Sequence, residues 1–457
     1  MSFLQTYKSQ YIATLRLAAP VMLSQLGVIA VQLFDNAMVG RLGALPLAAV
    51  AFGGTVFFLG FIFVTGISMA LTPLVGEQFS QGKQHIAAAY FQNSLLLFTL
   101  VSFVSFALQY SITPLMYYMK QPPEVVDMAI PYYQYLVWSV IPYMIFGVFK
   151  QFLEGIGNTT VNMVIIITAN LINIFFNWLL IYGNWGFPRM EAAGAGLATL
   201  ISRICMPVFA ILFFIFASKF RYYFSYFRKK NFSWIRIRNL LSVGLPISSQ
   251  MFMEGSAFAL TSIMMGWIGT VQIAANQIAM TISNCAFMII IGLGSATTIR
   301  ISHSYGRNDA PELKKAANAS YHMGLMWNTF TAIMFIVFRE QIARIFTDDP
   351  EVIRIASQLL IFVAAFQFSD GLQSISVGIL RGIQDVKPIA TIAFFSYIVI
   401  NLPTGYLCAF IFNWGAGGLW VGFIFGLSIA AILLMRRLRK QQRKLALEFS
   451  QNNSAKQ

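Results

Sequence analysis

Uncharged apolar runs too long for a globular core constrain this chain more than any other feature. From Leu17 to Phe34 it reads LAAPVMLSQLGVIAVQLF, eighteen residues without a charge, most of what a helix needs to cross a hydrocarbon layer. Comparable runs fall at about residues 15–39, 47–76, 86–110, 128–152, 161–183, 192–217, 238–266, 271–299, 316–338, 354–380, 388–412 and 417–435. They predict an all-α polytopic membrane protein with twelve transmembrane helices. A membrane β-barrel would instead show alternating segments of roughly ten residues. At 58% hydrophobic and 10% charged, with a mean hydropathy of +0.68, the composition fits no ordinary soluble domain. The first ten residues, MSFLQTYKSQ, are polar. No short apolar region with a small-residue cleavage site precedes the first span, so no cleaved signal is expected.

The net charge of +15 raises the question of nucleic acid, and its distribution answers it. Taking connections alternately, 24 of the 31 Lys and Arg lie on one side, six on the other, and Arg203 lies inside span six. The rich side holds Lys219, Arg221, Arg228, Lys229, Lys230, Arg236 and Arg238 after span six, and Arg436, Arg437, Arg439, Lys440, Arg443 and Lys444 after span twelve. The positive-inside rule then places both termini in the cytoplasm, with basic loops facing anionic lipid rather than nucleic acid. Cys205, Cys285 and Cys408 each stand alone in an apolar span, and His85, His303 and His322 show no ligand spacing, so a transition-metal site is not expected. GEQFSQGKQ, residues 76–84, misses the phosphate-binding loop pattern: five residues separate its glycines where four are needed, and Gln84 stands for Ser or Thr. Neither ATP hydrolysis nor a nucleophile–base constellation is indicated, so the chain does not read as an enzyme.

Shifted by 226 places, the sequence matches itself. Pro20 meets Pro246, Gly40 meets Gly266, Gly43 meets Gly269, Gly66 meets Gly292 and Thr72 meets Thr298. After one residue of drift EGIGN (154–158) meets RGIQD (381–385), and then Asn173 meets Asn401. A constant offset over small residues signals duplication. Six spans per half give both halves the same direction in the membrane, so a pseudo-two-fold axis along the membrane normal is expected, as in parallel-repeat transporters. The expected divisions are a first six-helix bundle (1–218), a basic cytoplasmic linker (219–238), a second six-helix bundle (239–435) and a basic cytoplasmic tail (436–457). Transport is favoured over a passive channel or a receptor.

Three carboxylates stand apart from all other charge. Asp35 is the sole charged residue between Arg16 and Arg41, Glu254 between Arg238 and Arg300, and Asp370 between Arg354 and Arg381. Such residues mark ion or substrate pathways when they face a bundle interior, and are packing groups when a buried partner merely holds them. Asn173 and Asn177 lie four apart on one helix face, and Thr199 is in the next span; their oxygens beside Asp35 would suit Na⁺. A desolvated carboxylate suits a proton equally. Residue types leave Na⁺ and H⁺ open at Glu254, Asp370 and Asp35.

Around these residues the chain resembles the multidrug and toxic compound extrusion (MATE) family, in its bacterial drug-efflux branch. The likeness runs through LAAPVMLSQLGVIAVQLFDNAMVGRLG, LVGEQFSQGK, MFMEGSAF, FQFSDGLQ, LRGIQDVKP and NLPTGY, nearly the whole chain. It implies a monomeric inner-membrane antiporter that exports small cationic or amphipathic drugs and dyes in exchange for Na⁺ or H⁺, with no cofactor beyond that ion. It assigns ion and substrate contacts to Glu254 and Asp370 in the second half, and to Asp35 with Asn173 and Asn177 in the first. Family members can carry a tyrosine one turn before the second-half aspartate; here Phe366 keeps the ring and lacks the hydroxyl. Some carry a second aspartate where this chain has Asn177. A lipid-linked oligosaccharide flippase of the same superfamily is the alternative, although three isolated acids against one Arg203 suit a cation better than a pyrophosphate.

Overall fold

The computed structural model describes residues 3–454, which leaves Met1 and Ser2 of the expected first bundle and the last three residues of the expected tail outside it. Among the described residues twelve long helices carry the chain. They are α1 (Phe3–Gly40), α2 (Ala44–Ser68, resuming as Leu71–Ser80), α3 (Gln84–Ile112), α4 (Pro123–Gly155), α5 (Thr160–Tyr182) and α6 (Glu191–Phe216), followed by α7 (Trp234–Ile268), α8 (Thr270–Gly306), α9 (Ala310–Val337), α10 (Pro350–Gly382), α11 (Lys387–Ile411) and α12 (Gly415–Ser454). Among the described residues eleven are long and apolar enough to span a membrane. The exception is α9, the expected ninth span. Its 28 residues are ample in length, but Lys314, Lys315, Asn318, His322 and Asn328 dilute its apolar content. Several helices overrun the apolar runs that predicted them, because polar first and last turns continue the helix beyond the apolar stretch; α1 already begins at Phe3.

Two compact units form. One joins the described residues through Met22 to those from Ser249 onward, and the other is Leu23–Ser248. Both divisions fall inside a helix, in α1 and in α7, at positions 226 apart. Each lies two residues past a helix-internal proline, Pro20 or Pro246, where one backbone hydrogen bond is missing.

Within Leu23–Ser248, α4 is the central helix, packed on α2, α3 and α6; within the other unit, α10 packs in the same pattern on α8, α9 and α12. Both central helices are 33 residues long and open on Pro-Glu-Val. Proline fits the first turn because its missing N–H would have no partner there, and in α10 the Asp349 side chain caps by accepting from Glu351 N (2.9 Å) and Val352 N (3.3 Å).

The repeat is visible contact by contact. Thr72 donates to Gln151 O (3.0 Å) in one unit, as Thr298 donates to Gly378 O (2.9 Å) in the other. A Cβ on Gly155 would stand 3.0 Å from Thr72 O, and one on Gly382 would stand 3.0 Å from Thr298 O. A Cβ on Gly66 would meet Ser248 Cα at 2.5 Å, and one on the matching Gly292 would meet Met22 Cγ at 2.4 Å. Helices in membranes gain by such backbone approach, because van der Waals contact replaces the hydrophobic drive that lipid removes.

A polar clamp holds the start of α1 within its unit. Arg300 donates to Thr14 Oγ1 (2.6 Å), to Gln10 O (2.9 Å) and to the Gln10 side chain, and pairs with Glu312 (3.1 Å). Gln10 also donates to both Glu312 oxygens (3.2 and 3.1 Å), and Tyr11 Oη lies 3.1 Å from His322 Nδ1.

Candidate ion and substrate sites

The second-half centre is built on α7, α10 and α11. Glu254 sits past the middle of α7, one turn after Gln250, whose Nε2 donates to its carboxylate at 2.5 Å. The Gln250 side-chain oxygen, Oε1, accepts from Arg381 Nη2 at the end of α10 (2.7 Å). From α11, Tyr397 lies within electrostatic reach of Glu254, and its Oη accepts from Gln373 Nε2 (2.8 Å) and donates to Gln373 Oε1 (2.9 Å). Tyr397 lies in a π-helical stretch, Phe394–Asn401, a local widening that often accompanies functional positions. Asp370 on α10 is 5% exposed and within electrostatic reach of Glu254. Two carboxylates therefore share one interior, with Arg381 as the nearby cation.

Phe366, one turn before Asp370, is 2% exposed. Its ring is packed by Phe258, Trp420 and Phe423 at centroid distances of 6.3, 5.6 and 6.0 Å.

The first-half centre lies on α1, α5 and α6. Asp35 accepts a hydrogen bond from Asn177 Nδ2. The same amide nitrogen is 2.9 Å from Asn173 Oδ1, and Asn173 Nδ2 donates to Thr199 Oγ1 (3.3 Å), whose hydroxyl donates to Ala195 O (3.0 Å). The four residues expected to lie together are thus one hydrogen-bonded chain. Asn177 Oδ1 is buried without a hydrogen-bond partner, an acceptor with unused capacity.

Arg203, noted in the sequence only as a charge inside a span, has surroundings that spacing did not reveal. Its guanidinium lies over Phe61 (4.7 Å), Tyr143 (5.2 Å) and Phe57 (5.4 Å), and donates to Ser139 Oγ (2.8 Å). The rings come from α2 and α4, so only folding assembles them. Tyr143 holds the place in α4 that Asp370 holds in α10, since both helices keep a 227-residue offset from their Pro-Glu-Val starts. The register that presents an acid in one half presents an aromatic face to a resident cation in the other. Among the described residues no group of three His, Cys, Asp or Glu could hold a metal ion.

A duplicated, many-span helical protein with carboxylates held inside each half is a membrane transporter in construction. The MatE family pattern matches residues 20–179 and 246–407. A relative from Photobacterium profundum, multidrug resistance protein NorM, is 32% identical over 450 residues, covering 95% of this chain and 96% of its own. Among solved structures, an outward-facing multidrug resistance MATE transporter of the MOP superfamily matches with a TM-score of 0.85 at 22% identity, over 96% of this chain and 97% of that one. A eukaryotic MATE transporter matches with a TM-score of 0.85 at 18% identity, over 97% and 99%. The chain belongs to the MATE family.

Proposed function

We propose that this chain is a secondary-active antiporter that exports cationic amphipathic drugs and dyes in exchange for Na⁺ or H⁺. The observation that carries the reading is the pair of carboxylates, Glu254 and Asp370, inside one helical unit. A monovalent cation about 4 Å from a carboxylate gains roughly 4 kcal/mol at an effective dielectric of 20. Two acids sharing an interior favour taking up one positive charge over staying doubly ionised. A coupling ion and a cationic drug then compete for the same anionic ground, which is the chemical requirement for exchange. Exporting one positive charge against an inside-negative potential costs about 2.3 kcal/mol per 100 mV, and one inward cation cancels that cost. The Asp35, Asn177, Asn173 and Thr199 chain supplies a second oxygen-rich centre of the kind that suits a hard cation or a proton. Phe366 serves this site as a packed aromatic wall.

In this reading the protein works as a monomer in the inner membrane with both termini cytoplasmic, as its basic residues suggest. Residues 1–218 and 239–435 are the two transport halves, 219–238 their linker and 436–457 the tail. The NorM relative carries multidrug resistance in its name, which supports the same substrate class here. The test is uptake of a fluorescent cationic dye by reconstituted vesicles, with Na⁺ and pH gradients imposed separately. Concentrative dye movement under at least one gradient is expected; dye that only equilibrates under both points to a passive pore and contradicts the proposal.

A further inference from the structure

We propose that the end of the second-half unit formed by the α7–α8, α9–α10 and α11–α12 connections carries a binding site for an anionic phospholipid of the phosphatidylglycerol type. The inference does not depend on the exchange reading. A short helix, Arg339–Arg344, follows α9 and packs on α10, where Ser357 Oγ lies 3.5 Å from Arg339 O. Both elements line a cavity of about 700 Å³ whose charged residues are Arg339, Glu340, Arg344, Asp348 and Arg354. Arg354, Gln358 and Ile361 recur at helical spacing on α10, so one face of that helix runs from charge to apolar surface. Gln358 and Ile361 also line a second cavity, of about 560 Å³, together with Ile268, Leu359, Phe362, Trp414 and Val421. A charged cavity and an apolar one therefore adjoin along α10.

Among the described residues no ion pair joins any of the three guanidiniums to Glu340 or Asp348. Three planar forks thus line one cavity without a carboxylate partner, and phosphate oxygens fit such forks two at a time. Three arginines against two carboxylates leave the lining one net positive charge, which matches a headgroup with one net negative charge better than a zwitterionic one. The two acids accept hydrogen bonds from hydroxyls, which a glycerol headgroup has and a choline headgroup lacks. A free anion would use the charged cavity alone. The apolar cavity beside it suits an acyl chain, and Trp414 in its lining is the residue type enriched at membrane–water boundaries. Directly after the short helix, Ile345 and Phe346 are 77% and 46% exposed, as apolar side chains resting on lipid are.

The experiment is photocross-linking of the full-length protein in phosphatidylcholine nanodiscs that hold a trace of phosphatidylglycerol with a diazirine on one acyl chain. Phosphatidylcholine with the same diazirine is the comparison probe, and cross-linked peptides are mapped by mass spectrometry. In wild type the phosphatidylglycerol probe should label the stretches 268–272 and 411–421 about tenfold more than the phosphatidylcholine probe, the scale of one charge-assisted hydrogen bond. Replacing the exposed Arg344 and Arg354 together, Arg344→Gln with Arg354→Gln, should remove that preference, whereas Arg41→Gln, at an exposed arginine outside this lining, should keep it. Val421→Trp, which fills the apolar cavity, should lower labelling of the same stretches at unchanged melting temperature. Equal labelling by the two probes in wild type overturns the proposal without any variant. A preference that survives in the double arginine variant overturns it as well, and so does displacement of the phosphatidylglycerol probe by millimolar inorganic phosphate, which marks a site for free anions.

Discussion

Glu254 is tolerable in the middle of α7 because Gln250 on its own helix donates to its carboxylate and the Arg381 cation lies within electrostatic reach. Asp35 is held by one amide, Asn177, which also touches Asn173. That dependence makes Asn177→Asp informative. The change sets a second carboxylate against Asp35, and like charges at this range cannot both ionise cheaply. The unfolding temperature of the variant should rise with added Na⁺ or with falling pH more steeply than that of wild type. Equal slopes would show that Asp35 and Asn177 do not confront each other as described. The acids and the Asn173, Asn177 face were legible in the sequence because an isolated charge and a four-residue spacing are both local signals. Tyr397, Gln250 and the rings around Arg203 were not. A neutral polar or aromatic side chain in an apolar run looks like packing, and the Gln250–Arg381 contact joins residues 131 apart.

At the scale of elements, the duplication specifies contacts as well as helices. Gly66 lies against Ser248 and Gly292 against Met22, and both members of each pair are related by the same 226-residue shift. The two sites differ in what a methyl group would strike. At Gly66 it meets backbone, Ser248 Cα at 2.5 Å and N at 2.9 Å; at Gly292 the nearest atom is the Met22 side chain at 2.4 Å, with backbone N at 3.0 Å. A flexible thioether side chain can move aside where backbone cannot. Gly66→Ala is therefore expected to cost more than Gly292→Ala, with both within about 1–3 kcal/mol as overpacking changes. Thermal unfolding in detergent ranks them, and a larger loss at Gly292 would contradict the contact geometry. The sequence marked these glycines as matched without saying what they touch, because close approach is a property of the packed pair. The helix α9 stands where the ninth span was expected, and its apolar signal is weak because polar residues do packing work in it: Asn328 donates to Gln367 O at 2.9 Å.

For the whole molecule, charge asymmetry carries the orientation. Under the positive-inside rule both termini and the basic stretch after α6 are expected on the cytoplasmic side. A reporter inserted near Lys230 or placed after Gln457 should be active only in its cytoplasmic form, and one inserted near Lys120 or Arg344 only in its external form. The opposite pattern would invert the topology, and with it the direction of export. The twelve helices were readable because each apolar run is long and the membrane permits few alternatives. The division into units inside α1 and α7 was not, because no composition change marks Met22 or Ser248.

The central claim is that exchange runs through Glu254 and Asp370, and drug-stimulated ion flux in reconstituted vesicles tests it most directly. Wild-type vesicles should move Na⁺ or H⁺ when a cationic dye is added on the substrate side, while Glu254→Gln and Asp370→Asn, folded to wild-type yield and melting temperature, should fall to the level of empty vesicles. Full dye-stimulated flux in both variants would contradict the account.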